Sequence, residues 1–422
     1  MDLFGFGPRS AALAGACTAA CADGSANYHN PAALAAVRKV ELAIGYRLAS
    51  FDLQLNRQTQ PVDDSRGVLA SVVMPVKISG MPVAFGTGVF LPDRRLTRVR
   101  ALPARRPRWV LYDNKPQRLF VAANLAIEPI EGLQIGAGIT YMAATRGTVS
   151  LEGEIVVPDP DGDRTSLVSS MDVGLEAIRY PSVGVRWTPA PGWALGLTWR
   201  DEFSLDLDLT TTIKGDIILA SDDGDTALTE GAELKLRSTN RVLFSPHQVV
   251  LGLAAPLAAG LRLSADLAWS RWSTFPTPAA TVTTSIDLGT LPLDLSDAFP
   301  TSPAPPAPKF KDTWSPRVGL EVDLPAGLTG RLGYAFEPSP APLATGPMNL
   351  VDGDRQVVSV GVAWEIEGPV GPIPGPVVFE AHASKHTIAK RTVLKSDPAD
   401  SVGDYTSKGE AWSGSGWVRS RF

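Results

Sequence analysis

Long apolar runs are missing from this sequence. The longest, Val249 to Leu261, is too short for a helical membrane span and is interrupted by Pro256. That excludes an α-helical membrane protein but not a membrane β-barrel, whose apolar residues alternate with polar ones. Cysteine is nearly absent: Cys17 and Cys21 alone cannot form a disulfide framework. They lie one helical turn apart and read as small packing residues, with a local disulfide or a redox role as the alternative. The run Leu13-Ala14-Gly15-Ala16-Cys17 is a faint lipidation signal. No charged segment followed by an apolar one opens the sequence, so no signal peptide is visible. With 4 histidines and no nucleophile–base constellation, an enzyme is not expected, nor is a cofactor or a metal. Excess positive charge is lacking too, and a net charge of −5 argues against nucleic acid as a partner.

Turn formers are what the chain has in quantity. Its 39 Gly and 36 Pro point to many turns and few long helices. From Val40 onward, alternation dominates. Val40, Leu42, Ile44, Tyr46 and Leu48 share one strand face, against Glu41, Ala43, Gly45, Arg47 and Ala49 on the other. The pattern returns over 119–127, 261–269, 318–324 and 358–366, always with one greasy face and one small or polar face. A soluble sandwich alternates as well. Loop lengths separate the two cases. Short connections (79–81, 128–132, 188–192, 324–327) alternate with long ones (91–116, 155–175, 212–237, 273–312, 391–408). Tight turns at one end and long loops at the other fit an outer-membrane barrel of about fourteen strands. The expected fold is therefore all-β, a transmembrane antiparallel β-barrel over residues 40–422. Trp187, Trp193, Trp199, Trp269, Trp272, Tyr334, Phe336 and Trp364 fall near strand ends, where they suit either the membrane–water boundary or core packing. Phe422 supplies the terminal aromatic common in such barrels.

Residues 1–39 break the pattern. Ala11, Ala12, Ala14, Gly15, Ala16, Ala19, Ala20 and Ala22 suit short, closely packed helices, and Asn30 before Pro31 can cap another. A small helical piece ahead of a barrel has a place to go: the lumen. Here the chain resembles the FadL/TodX family of outer-membrane transporters. Asn30-Pro31-Ala32, with its small-residue lead-in, resembles the family's hatch. Leu197-Thr198-Trp199-Arg200, the segment Trp269 to Phe275, Phe310 to Trp314, Arg331 to Tyr334, Ser339 to Pro342, Asp352 to Arg355 and Gly409 to Trp412 follow in family order. The resemblance covers essentially the whole chain.

It implies a bacterial outer-membrane channel, expected as a monomer, for passive uptake of long-chain fatty acids or aromatic hydrocarbons. Cargo would be caught between extracellular loops and leave sideways through the barrel wall. A surface-attachment or secretion-shuttle role on the same scaffold is the alternative. The family's lateral opening accompanies a kink in the third strand, which places it at Gly86 and Gly88; relief of crowding would also explain those glycines. The family's carboxylate-binding arginine falls near Ser150, with Arg146 four residues earlier, and its lysine near Lys309 and Lys311, none in clean register. These four, with Phe4 and Phe6 of the hatch, are the candidate ligand contacts; otherwise the charges are ordinary lumen or rim residues. The arginines Arg94, Arg95, Arg98, Arg100, Arg105, Arg106 and Arg108 suit either lipopolysaccharide phosphates or a solvated loop. Glu380, His382, Ser384 and His386 share a strand face and read as polar lumen lining rather than a metal site.

Overall fold

In the first strand the alternation becomes an inside and an outside. Leu42, Ile44, Tyr46 and Leu48 are exposed, while Glu41, Ala43, Arg47 and Ala49 are buried. The structure, a computed structural model, describes residues 3–94, 106–109, 111–112, 118–157, 166–219, 225–276, 281–290, 307–346, 348–371, 373 and 375–422. Fourteen strands form the barrel. They are β1 (Glu41–Leu55), β2 (Ser65–Ile78), β3 (Met81–Pro92), β4 (Phe120–Ile130), β5 (Leu133–Val157), β6 (Ser166–Trp187) and β7 (Ala194–Arg200). Then come β8 (Gln248–Ala258), β9 (Leu261–Ser270), β10 (Thr313–Leu324), β11 (Leu328–Glu337), β12 (Arg355–Ile366), β13 (Val377–Val393) and β14 (Tyr405–Arg421).

Each strand pairs antiparallel with the next. The ring closes where β14 meets β1, from Glu41 opposite Arg421 to Leu55 opposite Ser407. A closed barrel leaves no sheet edge to satisfy inside lipid. Its outer face carries rows such as Val358, Val360, Val362 and Trp364, all exposed. In water such a band would be a large sticky patch; in a bilayer it is the solvated face.

Short turns gather at one end, at residues 79–80, 131–132, 259–260 and 325–327. Two segments expected as long loops are largely strand. β5 and β6 continue as a paired ladder out to Glu154 opposite Ser166. Residues Phe203–Leu219 and Thr226–Ser245 pair with each other as a hairpin beyond the barrel. The first of these runs parallel to β5, from Gly147 beside Leu209 to Val157 beside Leu219. The β-branched run Thr210 to Ile213, after the alternating Leu205, Leu207 and Leu209, carries the strand signal that loop length had masked.

The amino-terminal segment lies inside the ring. It forms α1 (Pro8–Ala12), α2 (Ala26–His29) and a 3₁₀ turn at Pro31–Ala36. Asn30 caps that turn: its side chain accepts from the Ala32 backbone N–H at 3.1 Å and donates to the carbonyls of Thr18 and Val185. Facing it, Gly136 and Gly184 stand opposite one another on β5 and β6. A methyl group on Gly136 would run into the backbone of Pro31 and Ala32, and one on Gly184 into the Asn30 amide. Cys17 and Cys21 are joined as a disulfide, with Cα atoms 5.1 Å apart. This corrects the reading as separate packing residues, and it leaves no Cys17 thiol for a lipid. Residues 17 to 21 close a single turn, with the Cys21 N–H donating to the Cys17 carbonyl at 3.2 Å, and this brings the sulfurs together.

Candidate functional site

Two small cavities are stacked in the lumen above the amino-terminal segment. The lower is lined by Phe4, Gly15, Thr18, Tyr28, His29 and His386, among others, and the upper by Tyr112, Ser270, Trp272, Asp352 and Arg355. Leu3, Arg200, Gln248, Arg317 and Glu337 line both and form the waist between them. The cavities measure about 60 and 100 Å³. Both are smaller than the roughly 150 Å³ cavity that admits benzene.

The waist is cationic on one side. Arg200 ends β7 on its inward face, with its guanidinium 4.1 Å from the Tyr28 ring centroid. It donates to the Tyr28 carbonyl at 2.6 Å and to the Tyr28 hydroxyl at 3.0 Å. Arg317 projects inward from β10 and reaches Glu337 at 3.4 Å, while its buried Nε has no partner. The buried His29 Nε2 is likewise unpartnered. Burial, then the charges of Arg200 and Arg317, push the His29 imidazole down to about 3, so it is neutral at ordinary pH.

Nearer the long loops sits an aromatic cluster of Phe244, Phe275, Phe310, Ala341 and Leu350, with Trp272 and Met348 against it. Phe275 and Phe310 stack with centroids 4.2 Å apart. On the opposite wall β13 presents Glu380, His382, Ser384 and His386 inward, all buried. Ser384 bonds Ser413 at 2.7 Å and His386 at 3.1 Å, and His382 bonds Ser415 at 2.7 Å.

The expected contacts divide. Phe4 lines the lower cavity and meets the His386 ring edge-on at 5.2 Å. Phe6 is fully buried between Phe120 and Trp417. Ser150 sits on the far extension of β5, opposite Ser170, and lines neither cavity. Arg146 stands opposite Gly174 on the same ladder, with its side chain outside the described residues. Lys309 and Lys311 are exposed and line neither cavity. Arg95, Arg98, Arg100 and Arg105 lie outside the described residues.

Gly86 and Gly88 carry no bulge. Both neighbouring ladders run through them without a register shift. Their missing side chains make room for the amino-terminal segment: a Cβ on Gly86 would lie 2.6 Å from Leu34, and one on Gly88 2.9 Å from Phe6. The waist residues Arg200 and Arg317 were not singled out from the sequence as ligand contacts. The available signal was their kind: charged side chains on the inward phase of strands whose neighbours are small.

Comparison with known proteins follows the same lines. Alkane uptake protein A of Marinobacter nauticus is 22% identical over 365 residues, covering 80% of this chain and 73% of that protein. A Pseudomonas aeruginosa FadL homologue superposes with a TM-score of 0.60 at 16% identity, covering 98% of each chain. The Pseudomonas putida toluene transporter TodX gives 0.60 at 14% identity over 100% of this chain and 99% of its own. The sequence profile of the outer membrane protein transport proteins matches residues 6–371. This chain, an outer-membrane β-barrel, belongs to the OMPP1/FadL/TodX family.

Proposed function

We propose that the protein is a passive channel for hydrophobic small molecules, and that the cargo its lumen suits best is a long-chain fatty acid. The observation that carries this is the waist. Arg200 and Arg317 bring two guanidinium donors to the place where both cavities meet, against the single carboxylate of Glu337, beside Leu3 and close to Phe4 and Tyr28. A bare hydrocarbon would gain nothing from those donors. A carboxylate would take charge-assisted bonds from them while its chain lies against the rings.

The aromatic cluster around Phe275 and Phe310 suits first capture from outside, since an apolar path favours cargo by about 25 cal/mol per Å² of apolar surface buried. The cavities hold only a few waters each, so passage requires Leu3 and Phe4 to move aside. Exit is sideways, where Gly86 and Gly88 leave the third strand thin once Phe6 and Leu34 withdraw. Because both ladders are continuous there, exit also requires local opening of the β2–β3–β4 pairing.

The test is uptake in a deletion strain complemented with this gene, using labelled oleate and labelled hexadecane at equal concentrations. Oleate uptake should depend on the protein. Equal oleate entry with and without it would end the proposal.

A further inference from the structure

One row of inward-facing residues crosses four neighbouring strands in register: Arg186 on β6, Gly196 on β7, Gly252 on β8 and Asp266 on β9. All four hold the same short piece of the amino-terminal segment. The Asp266 carboxylate accepts from the backbone N–H of Cys17 at 3.0 Å and of Thr18 at 2.9 Å. Arg186 donates to the Ala19 carbonyl at 2.8 Å, and Asn30 donates to the Thr18 carbonyl at 2.8 Å. Between the two charged residues, the paired glycines form a flat seat. A Cβ on Gly196 would lie 2.6 Å from the Thr18 oxygen, and one on Gly252 2.8 Å from the Thr18 side chain. The Cys17–Cys21 bond closes the loop that sits there.

This loop is also a partition. Thr18 lines the lower lumen cavity. Ala19 and Ala20, one and two residues further on, line a separate vestibule of about 760 Å³ at the short-turn end, together with Arg186, Trp193 and Ser264. The stretch from Thr18 to Ala20 thus lies between the two cavities, with the rest of the amino-terminal segment beside it. Nothing else on the row fills the space, because Gly196 and Gly252 have no side chains.

We propose that Asp266 is the positioning residue that latches residues 17–20 across the lumen. The inference rests on the channel reading above. Asp266 is suited to the task because a carboxylate binds backbone N–H groups more strongly than a neutral acceptor does. Its counterpart Arg186 grips the next carbonyl, so the loop is held by opposite charges on its two sides.

Ion conductance of the purified protein in planar bilayers tests this without any cargo. Losing two bonds to a charged acceptor should raise the open population of Asp266→Ala roughly a hundredfold, at about tenfold per bond. Asp266→Asn keeps an acceptor oxygen without the charge and should leak less than Asp266→Ala. Gly252→Ala attacks the same seat sterically and should also leak. Heat-modifiable migration on gels confirms in each case that the barrel has formed. Folded Asp266→Ala and Gly252→Ala that conduct no more than wild type would overturn the proposal. So would leakage in Asp266→Asn equal to that of Asp266→Ala. Failure of wild-type oleate uptake would instead sink the channel reading and leave the conductance result standing.

Discussion

Arg9 of α1 holds Glu321 of β10 through two bonds, Nε to Oε1 at 3.1 Å and a second guanidinium nitrogen to Oε2 at 2.7 Å, 312 positions apart in the chain. The same guanidinium reaches Asp23 at 3.0 Å, and Glu321 in turn accepts from Arg331 at 3.0 Å. The amino-terminal segment is thus tied to the wall by charge as well as by shape. Removing Arg9 leaves Glu321 with Arg331 alone and takes from the buried Asp23 carboxylate its guanidinium contact. Arg9→Ala should therefore loosen this segment while the barrel stays formed. Amide hydrogen exchange over residues 8–30 reads it directly. Exchange no faster than wild type would show that Arg9 does not hold the segment in place.

Gly136 gives a second, steric handle. It faces Pro31 and Ala32 at a distance no side chain can share. Gly136→Val should prevent docking of Asn30-Pro31-Ala32 and expose the segment to protease in otherwise folded protein. Wild-type resistance in the valine variant would show that the close approach is dispensable.

The waist makes cargo chemistry separable from channel integrity. Arg200→Met keeps most of the side-chain bulk and removes the charge. Fatty acid affinity, measured by fluorescence competition, should fall roughly tenfold, the worth of one charge-assisted bond. Affinity for an alkane of equal length should stay unchanged. Equal losses for both would mean that Arg200 supports the structure and not the carboxylate.

Asp352 makes the loop before β12 sensitive to pH. Burial pushes its carboxyl up to about 6, against hydrogen bonding from Ser339, which lowers it. The Ser339 hydroxyl donates to Asp352 at 2.6 Å. Because the docked-loop value lies above the ordinary 3.8, docking favours the protonated acid. Its contribution is complete below about pH 4 and is lost as pH rises through about 6, up to roughly 3 kcal/mol in all. Residues 338–354 should therefore exchange amide protons more slowly at pH 5 than at pH 7.5, after correction for intrinsic rates. Asp352→Asn should remove that difference. A difference that persists in the asparagine variant would assign it to another group.

How far the sequence disclosed this depends on period. The strands were legible because a two-residue repeat such as Leu42, Ile44, Tyr46, Leu48 can satisfy only one lipid face and one polar face. Asn30-Pro31 was legible as a cap because the chemistry is local. The hairpin 203–245 was obscured because its length matched that of a loop. The waist was missed for a different reason: Arg200 and Arg317 are 117 residues apart in sequence (317 minus 200), and only barrel closure sets them around one space. The glycines at 86 and 88, read alone, left a kink and relief of crowding both open, because the buried Phe6 and Leu34 that occupy their space come from a distant part of the chain.

Glu41 sits where three parts of the chain meet. Its carboxylate accepts from the Gly24 backbone N–H at 2.6 Å, from Arg421 at 2.6 Å and from Arg419 at 3.3 Å. The first strand, the last strand and the inner segment thus share one group. During biogenesis, β14 is the last strand to become available. When it pairs with β1 it brings Arg419 and Arg421 to a carboxylate that the Gly24 backbone N–H also engages. Seam closure and seating of the inner segment are thereby coupled: each supplies the Glu41 carboxylate with partners the other lacks. A chain lacking its first two dozen residues should then close a weaker seam, and its folded gel band should be lost at a lower temperature than that of the full chain.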